Sequence, residues 1–284
     1  MRIIRTKHEL RKAIYDFRRE SKGTLAFIPT MGALHEGHLN LIDSARKQAD
    51  FVVVSIFVNP AQFGEGEDYE EYPRTEKEDI AKLESRNVDI AYIPYETEMY
   101  ESGYCISIKV EKNADILCGR YRKGHFDGVA TVVTKLFMQV MPDIAIFGEK
   151  DYQQLRIINQ LVKDIDVPVK VLGIPTIREE DGLAMSSRNS YLSDKEREIA
   201  PELYQTLNEL KEKIEAGDSI KDSVRAAKDR LLESGFSKID YIEVRDAETL
   251  ESIDCFSGDT KIGRILAAAH LGGTRLIDNI AVVV

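Results

Sequence analysis

The chain has 284 residues, 43% of them hydrophobic and 31% charged, and a formal net charge of −10; that is the balance of a globular protein with a large core and room for two domains at roughly 150 residues each. An acidic surplus excludes sequence-independent nucleic-acid binding, which needs a basic surface. The longest apolar run, Phe51 to Val58, is far shorter than a membrane span, and Met1 to Arg19 lacks the apolar stretch of a secretory signal, so a cytoplasmic protein without a membrane partner is expected.

Residues 7 to 20 carry Leu10, Ile14 and Phe17 at helical spacing, which predicts an outer helix. Leu25 to Ile28 follows as a buried strand, and Leu39, Leu41, Ile42 and Ala45 mark one face of the next helix. Phe51 to Val58 is nearly all apolar, the pattern of a strand covered on both faces in a parallel sheet. Strand, helix, strand is a βαβ unit. Further on, the predicted elements are a helix over 75–86, a strand over 88–93, a helix over 129–140, a strand over 143–147, a helix to about Lys163 and a last strand over 167–172. Residues 65–71 read as a solvated acidic loop. Beyond Pro175 the spacing predicts two helices within 194–233, broken near Gly217, then strands at 239–244, 261–270 and 275–284. The fold class expected is α/β: a Rossmann-like doubly wound parallel sheet (1–175) with a smaller α+β C-terminal domain (176–284). Cys105, Cys118 and Cys255 form no Cys-x-x-Cys pair, so reduced, mostly buried thiols are expected.

Between the first two strands lies Pro29-Thr30-Met31-Gly32-Ala33-Leu34-His35-Glu36-Gly37-His38-Leu39. A glycine-punctuated turn into a helix aims backbone N–H groups and the positive helix end at an anion, so a nucleotide phosphate is the expected ligand. The Walker loop is absent, Gly64-Glu65-Gly66 lacks the third glycine of a dinucleotide fingerprint, and His35 and His38 stand three apart rather than at the four-residue spacing of a zinc protease. Asn59 and Gln62 follow the second strand, where ligands of open parallel sheets bind. Gly119 to Gly128 clusters cations with glycines, Lys150 follows Gly148 at a strand end, and Met185-Ser186-Ser187-Arg188 sits in a turn-rich segment. Each of these is also compatible with an ordinary surface loop. Taken as residues, they indicate a phosphate-binding α/β enzyme and leave open another nucleotidylyltransferase or an ATP-sensing module.

Side by side, the segments resemble the pantothenate synthetase (pantoate:β-alanine ligase) family. PTMGALHEGH from residue 29, FVNPAQFG from 57, GRYRKGHFDGV from 119, FGEKDYQQL from 147, DGLAMSSRN from 181 and ILAAAHLGGTRLIDNI from 265 carry the likeness across most of the chain. The resemblance extends to nucleotidyltransferases with a His-x-Gly-His motif, matched by His35 to His38, while Met185 to Arg188 stands where class I tRNA synthetases carry Lys-Met-Ser-Lys-Ser. It implies condensation of (R)-pantoate with β-alanine through a pantoyl adenylate, ATP as co-substrate, Mg2+ carried with the ATP, and a homodimer. It also implies ATP contacts from Met31, Gly32, Ala33, Leu34, His35, Glu36, Gly37, His38, Gly148, Glu149, Lys150, Asp151, Ile177, Met185, Ser186, Ser187 and Arg188. Gln62 and Gln154 would hold pantoate and β-alanine. His35, His38, Lys150 and Arg188 would carry the chemistry, with His38 the expected acid; no metal-ligating residue is assigned.

Overall fold

The computed structural model describes residues 1–256 and 262–284. Its first sheet has six strands, β1 (Arg2–Ile4), β2 (Leu25–Thr30), β3 (Phe51–Ile56), β4 (Ile90–Tyr92), β5 (Ile144–Gly148) and β6 (Lys170–Ile174), in the spatial order β1-β4-β3-β2-β5-β6. Every neighbouring pair is parallel. The central strands are covered on both faces, as the strands of parallel sheets are. Leu25 and Phe27 of β2 and Val53 of β3 face one buried cluster, while Ala26, Ile28, Val52 and Val54 face another. Helix α1 (Lys7–Glu20) and α6 (His125–Val140) cover the first face. The second is covered by α2 (Glu36–Arg46) and α3 (Glu76–Ser85). Short helices α4 (Glu96–Met99) and α5 (Cys118–Tyr121) and the longer α7 (Tyr152–Asp164) complete this part.

The chain leaves β2 toward β3 on one side, and β5 lies against β2 on the other. The strand order therefore reverses at β2, opening a crevice beyond the carboxyl ends of β2 and β5, the place where doubly wound sheets bind ligands. The Pro29–Leu39 segment and the Gly148–Asp151 turn both emerge there.

Helices α8 (Asp194–Ile199), α9 (Glu202–Glu215) and α10 (Ile220–Ser234) precede an antiparallel sheet of β7 (Lys238–Asp246), β8 (Ile262–Leu271) and β9 (Thr274–Val283). Ile242, Val244, Ile265 and Ala267 pack on α9 and α10. Tyr241, Leu266 and Ala268, which alternate with them, pack instead against Leu117, Phe126 and Ile157 of the first part. Both faces of the small sheet are thus buried, one on its own helices and one on the larger layer.

Several elements differ from expectation. Three residues were too few for β1 to show a period, and it forms because it pairs with β4. Helix α6 starts at His125, four residues early, with Gly124 in the left-handed conformation ahead of it. The last parallel strand begins at Lys170 rather than Val167, although Val167 and Val169 are still buried. Pro201 divides the first of the two expected C-terminal helices into α8 and α9, as a residue without an N–H does. Lys261, expected to open a strand, lies outside the described residues. Of the cysteines only Cys118 is buried; Cys105 and Cys255 are exposed, and none is in a disulfide.

Candidate active site

The crevice begins at the end of β2. Thr30 accepts from Gly32 N–H at 3.2 Å through Oγ1, and donates to Ser55 O at 2.7 Å. Gly32 has φ +82°, and Ala33 follows in the same left-handed region at +49°. A Cβ on Gly32 would meet Ile56 at 3.0 Å and Asp79 at 3.1 Å, so the turn admits no side chain. Fully buried Asp79, on α3, accepts from Ala33 N–H at 2.9 Å and Leu34 N–H at 2.8 Å. Lys82, one helical turn later, donates to Leu34 O at 2.5 Å. The N–H groups of Gly32, Ala33 and Leu34, expected to cradle phosphate, are therefore taken up within the turn.

Two histidines cap α2. His35 Nδ1 accepts from Gly37 N–H at 3.2 Å and His38 Nδ1 accepts from His35 N–H at 3.3 Å, with the rings 4.1 Å apart. A Cβ on Gly37 would lie 2.9 Å from the His35 ring, which explains the glycine between them. Since both Nδ1 atoms accept, each neutral ring carries its proton on Nε2 and offers it as a donor. Burial, then the nearby Lys150 and Lys82 ammoniums, push the His35 pKa down to about 4. Burial and the His35 ring hold His38 well below the usual imidazole range. Neutral donors, not charged acids, are what the turn presents near pH 7.

A cleft of about 220 Å3 opens in front of them. Its wall includes Met31, His35, Gly37, His38, Gly148, Lys150, Asp151, Ile177, Met185, Ser186, Ser187 and Arg188 from the expected ATP set, together with Gln62 and Gln154. Val129, Val133 and Leu136 of α6, with Phe57 and Phe147, supply an apolar wall. Gly32, Ala33, Leu34, Glu36 and Glu149 are not on it. Leu34 is in the core and Glu36 lies 3.6 Å from Arg86. Glu149 turns toward the C-terminal sheet and accepts from Arg264 at 2.9 Å. Asn279 of β9 donates to the carbonyls of Glu149 and Lys150, both at 2.9 Å, which fixes the Lys150 backbone.

Gln62 is buried and its amide is oriented: Nε2 donates to Met31 Sδ at 2.9 Å and Oε1 accepts from Asn59 at 3.2 Å. Asn59 in turn accepts from the Tyr100 hydroxyl at 2.7 Å. His125, on the expected cationic cluster, donates from Nδ1 to Gln62 O at 2.8 Å. Ser187 donates to Ala33 O at 3.2 Å, which brings the Met185–Arg188 segment over the histidine turn. Arg188 forms a two-point pair with Asp68, and Arg122 one with Glu67. The 65–71 stretch is therefore not simply a solvated loop. Asp79 and Asp68 carry no local motif that would have marked them; only their partners do.

Burial, followed by the Arg122 guanidinium, pushes His125 to about 4 as well. The sign of the consequence is definite. Between pH 6.5 and 4 the unfolded chain binds more protons at these rings than the folded one, so stability falls as the pH drops through that window. Denaturant unfolding at pH 7.5 and pH 5 should differ by about 2 kcal/mol for each of His35 and His125, and His125→Asn should remove its share of the difference.

A family model described as Pantoate-beta-alanine ligase matches residues 2–281. A pantothenate synthetase of a Bradyrhizobium strain is 50% identical over 284 residues, covering 99% of this chain and 98% of that protein; one from Paramagnetospirillum magneticum is 48% identical over 280 residues, with 99% and 97% covered. The crystal structure of pantothenate synthetase from Thermus thermophilus superposes with a TM-score of 0.92 at 43% identity over 99% of both chains. A pantoate-beta-alanine ligase from Francisella tularensis, solved in complex with beta-gamma ATP and beta-alanine, gives 0.82 at 35% identity, covering 99% and 97%. With a cleft that joins a histidine-capped helix, a lysine at the sheet's switch point and a Ser-Ser-Arg turn, the chain belongs to the pantoate-beta-alanine ligase family.

Proposed function

We propose that this cleft joins (R)-pantoate to β-alanine at the expense of ATP, through a pantoyl adenylate, releasing AMP and pyrophosphate. The observation that carries the reading is the convergence on one cleft of two Nε2–H donors, Lys150 and Arg188 with the oriented amide of Gln62 beside an apolar wall. In the first half-reaction the pantoate carboxylate attacks the α-phosphorus and pyrophosphate leaves. Negative charge builds on phosphoryl oxygens, and fixed donors in a water-poor cleft stabilise it. His35 and His38 fit that role as neutral hydrogen-bond donors. His38 fits the role of an acid poorly, because burial and the His35 ring hold it well below the usual imidazole range and keep it neutral near pH 7. Lys150 and Arg188 supply positive charge to the triphosphate, and Ser186 and Ser187 supply hydroxyls. In the second half the β-alanine amine attacks the adenylate carbonyl and AMP departs.

Gln62 and Gln154 suit pantoate, since an amide both donates and accepts, while the apolar wall suits an aliphatic body. Magnesium enters as an ion riding on the triphosphate. Asp151, exposed beside Lys150 at 3.9 Å, is a carboxylate within the cleft wall, and among the described residues no group of three potential ligands forms a protein cage; one carboxylate plus phosphates is a donor set that magnesium accepts. When bound, it would neutralise phosphate charge. The same reading includes a homodimer, for which exposed Tyr104, Ile106, Met138 and Met141 offer apolar surface, and action in the cytoplasm, in keeping with unpaired cysteines. It also includes two domains meeting near residue 175, in keeping with separate buried clusters on the two sheets.

Isotope exchange between pyrophosphate and ATP tests the adenylate. Exchange that requires pantoate and does not require β-alanine is expected; exchange without pantoate, or ATP binding with no exchange at all, would overturn the proposal.

A further inference from the structure

Adjacent residues Glu67 and Asp68 grip arginines from two different parts of the chain. Glu67 accepts from Arg122 Nε at 2.8 Å and Nη2 at 2.6 Å. Asp68 accepts from Arg188 Nε at 2.9 Å and Nη2 at 2.8 Å. All four side chains are largely buried, at 18–26% exposure. A two-point guanidinium–carboxylate pair fixes direction as well as position. The loop that offers these carboxylates is itself braced, since Arg74 donates to the carbonyls of Tyr69, Glu70 and Tyr72.

The edge by which the arginines are held decides what the pairs do. Both arginines line the substrate cleft. They also line, with Glu67, Asp68, Lys150 and Gln154, the larger adjoining chamber of about 410 Å3 between the two sheets, so they stand in the wall that the two spaces share. Each carboxylate takes the Nε and Nη2 edge of its guanidinium there, and the Nη1 of Arg188 is not engaged by Asp68. Arg122 Nη1 meets His125 Nε2 at 3.1 Å, and His125 Nδ1 donates to Gln62 O at 2.8 Å. Because a carbonyl only accepts, His125 carries its proton on Nδ1 and Nε2 is the acceptor, so Arg122 donates both to Glu67 and to His125, and His125 donates onward to Gln62 O.

We infer that Glu67 and Asp68 form a strap of two positioning residues: Asp68 aims Arg188 at the ATP triphosphate, and Glu67, through Arg122 and His125, sets the backbone of Gln62 for pantoate. This rests on the assignment of Arg188 and Gln62 under the proposed function. One short loop would thus set both substrate sites.

The test is steady-state pyrophosphate exchange on the full chain, with ATP and pantoate varied separately. Asp68→Asn keeps the volume and loses the charge and the second acceptor; it should raise KM for ATP about tenfold and leave KM for pantoate within about twofold. Glu67→Gln should do the reverse, raising KM for pantoate about fivefold. Asp68→Glu, which keeps the charge, should recover part of the ATP defect. A merely structural role would lower the active fraction without separating the two KM values. If Asp68→Asn leaves KM for ATP unchanged, or lowers it as a carboxylate competing with the triphosphate would, the inference is wrong. Arg188→Ala separates the failures. Should Arg188→Ala leave KM for ATP unchanged, the assignment of Arg188 falls and the strap with it; should it raise KM while Asp68→Asn does not, only the strap falls.

Discussion

Replacing His38 by alanine is expected to slow pantoate-dependent pyrophosphate exchange by about 100- to 1,000-fold, the usual loss when one fixed donor to a developing oxyanion is removed. Two contributions go at once. The Nε2–H aimed from the helix start is lost, and so is the Nδ1 acceptor that satisfies His35 N–H. The second can be isolated with His38→Gln, whose side-chain oxygen can reach back from the third helical position to the N–H of the capping residue. Stability should then be largely kept while exchange stays low. If the alanine variant exchanged at near wild-type rate, the histidine would be only a cap. The pH profile gives an independent reading. With both ring pKa values displaced downward, exchange should show no histidine break between pH 6 and 8, whereas an acid role for His38 would require one.

Asp79→Asn should be the most damaging substitution outside the cleft wall. The carboxylate is fully buried and receives two backbone N–H groups from consecutive residues, one in a left-handed conformation. An amide has one acceptor oxygen, so its NH2 group would face one of those donors. A buried donor left unsatisfied costs about 1–3 kcal/mol, more where a charged partner is removed. A loss of about 2–4 kcal/mol in denaturant unfolding is expected, with exchange activity reduced along with the turn. An unchanged unfolding midpoint would show that the turn holds its shape without Asp79.

The contrast between these two residues shows what was legible in the chain. His38 stands inside a motif, between a strand and a helix whose apolar positions are regular, so its place at a phosphate-facing turn can be read locally. Asp79 is one acid among several in the first turns of α3, and nothing in its neighbourhood distinguishes it from Glu76 or Glu78, which are exposed. Its role comes from the packing of α3 against the sheet, which carries it to Ala33 and Leu34, 46 and 45 residues away in sequence. Glu149 illustrates the opposite error. It sits in a recognisable block beside Lys150, yet its side chain belongs to the contact with Arg264, because β8 and β9 lie against that turn.

By itself the sequence determined the order of the longer strands and helices, the parallel character of the first sheet and the family, because hydrophobic period and block motifs are local properties of the chain. The C-terminal sheet was legible for the same reason, to within a residue or two at its ends. Which backbone N–H groups are already taken up, which carboxylate holds Arg188 and which acids are partners rather than surface charges were decided only by the tertiary structure. Those outcomes depend on groups brought together from β2, α3, the 64–74 loop and β9. Such pairings leave no periodic trace, since a hydrogen bond between residues about a hundred positions apart constrains their distance in space and not their spacing in the chain.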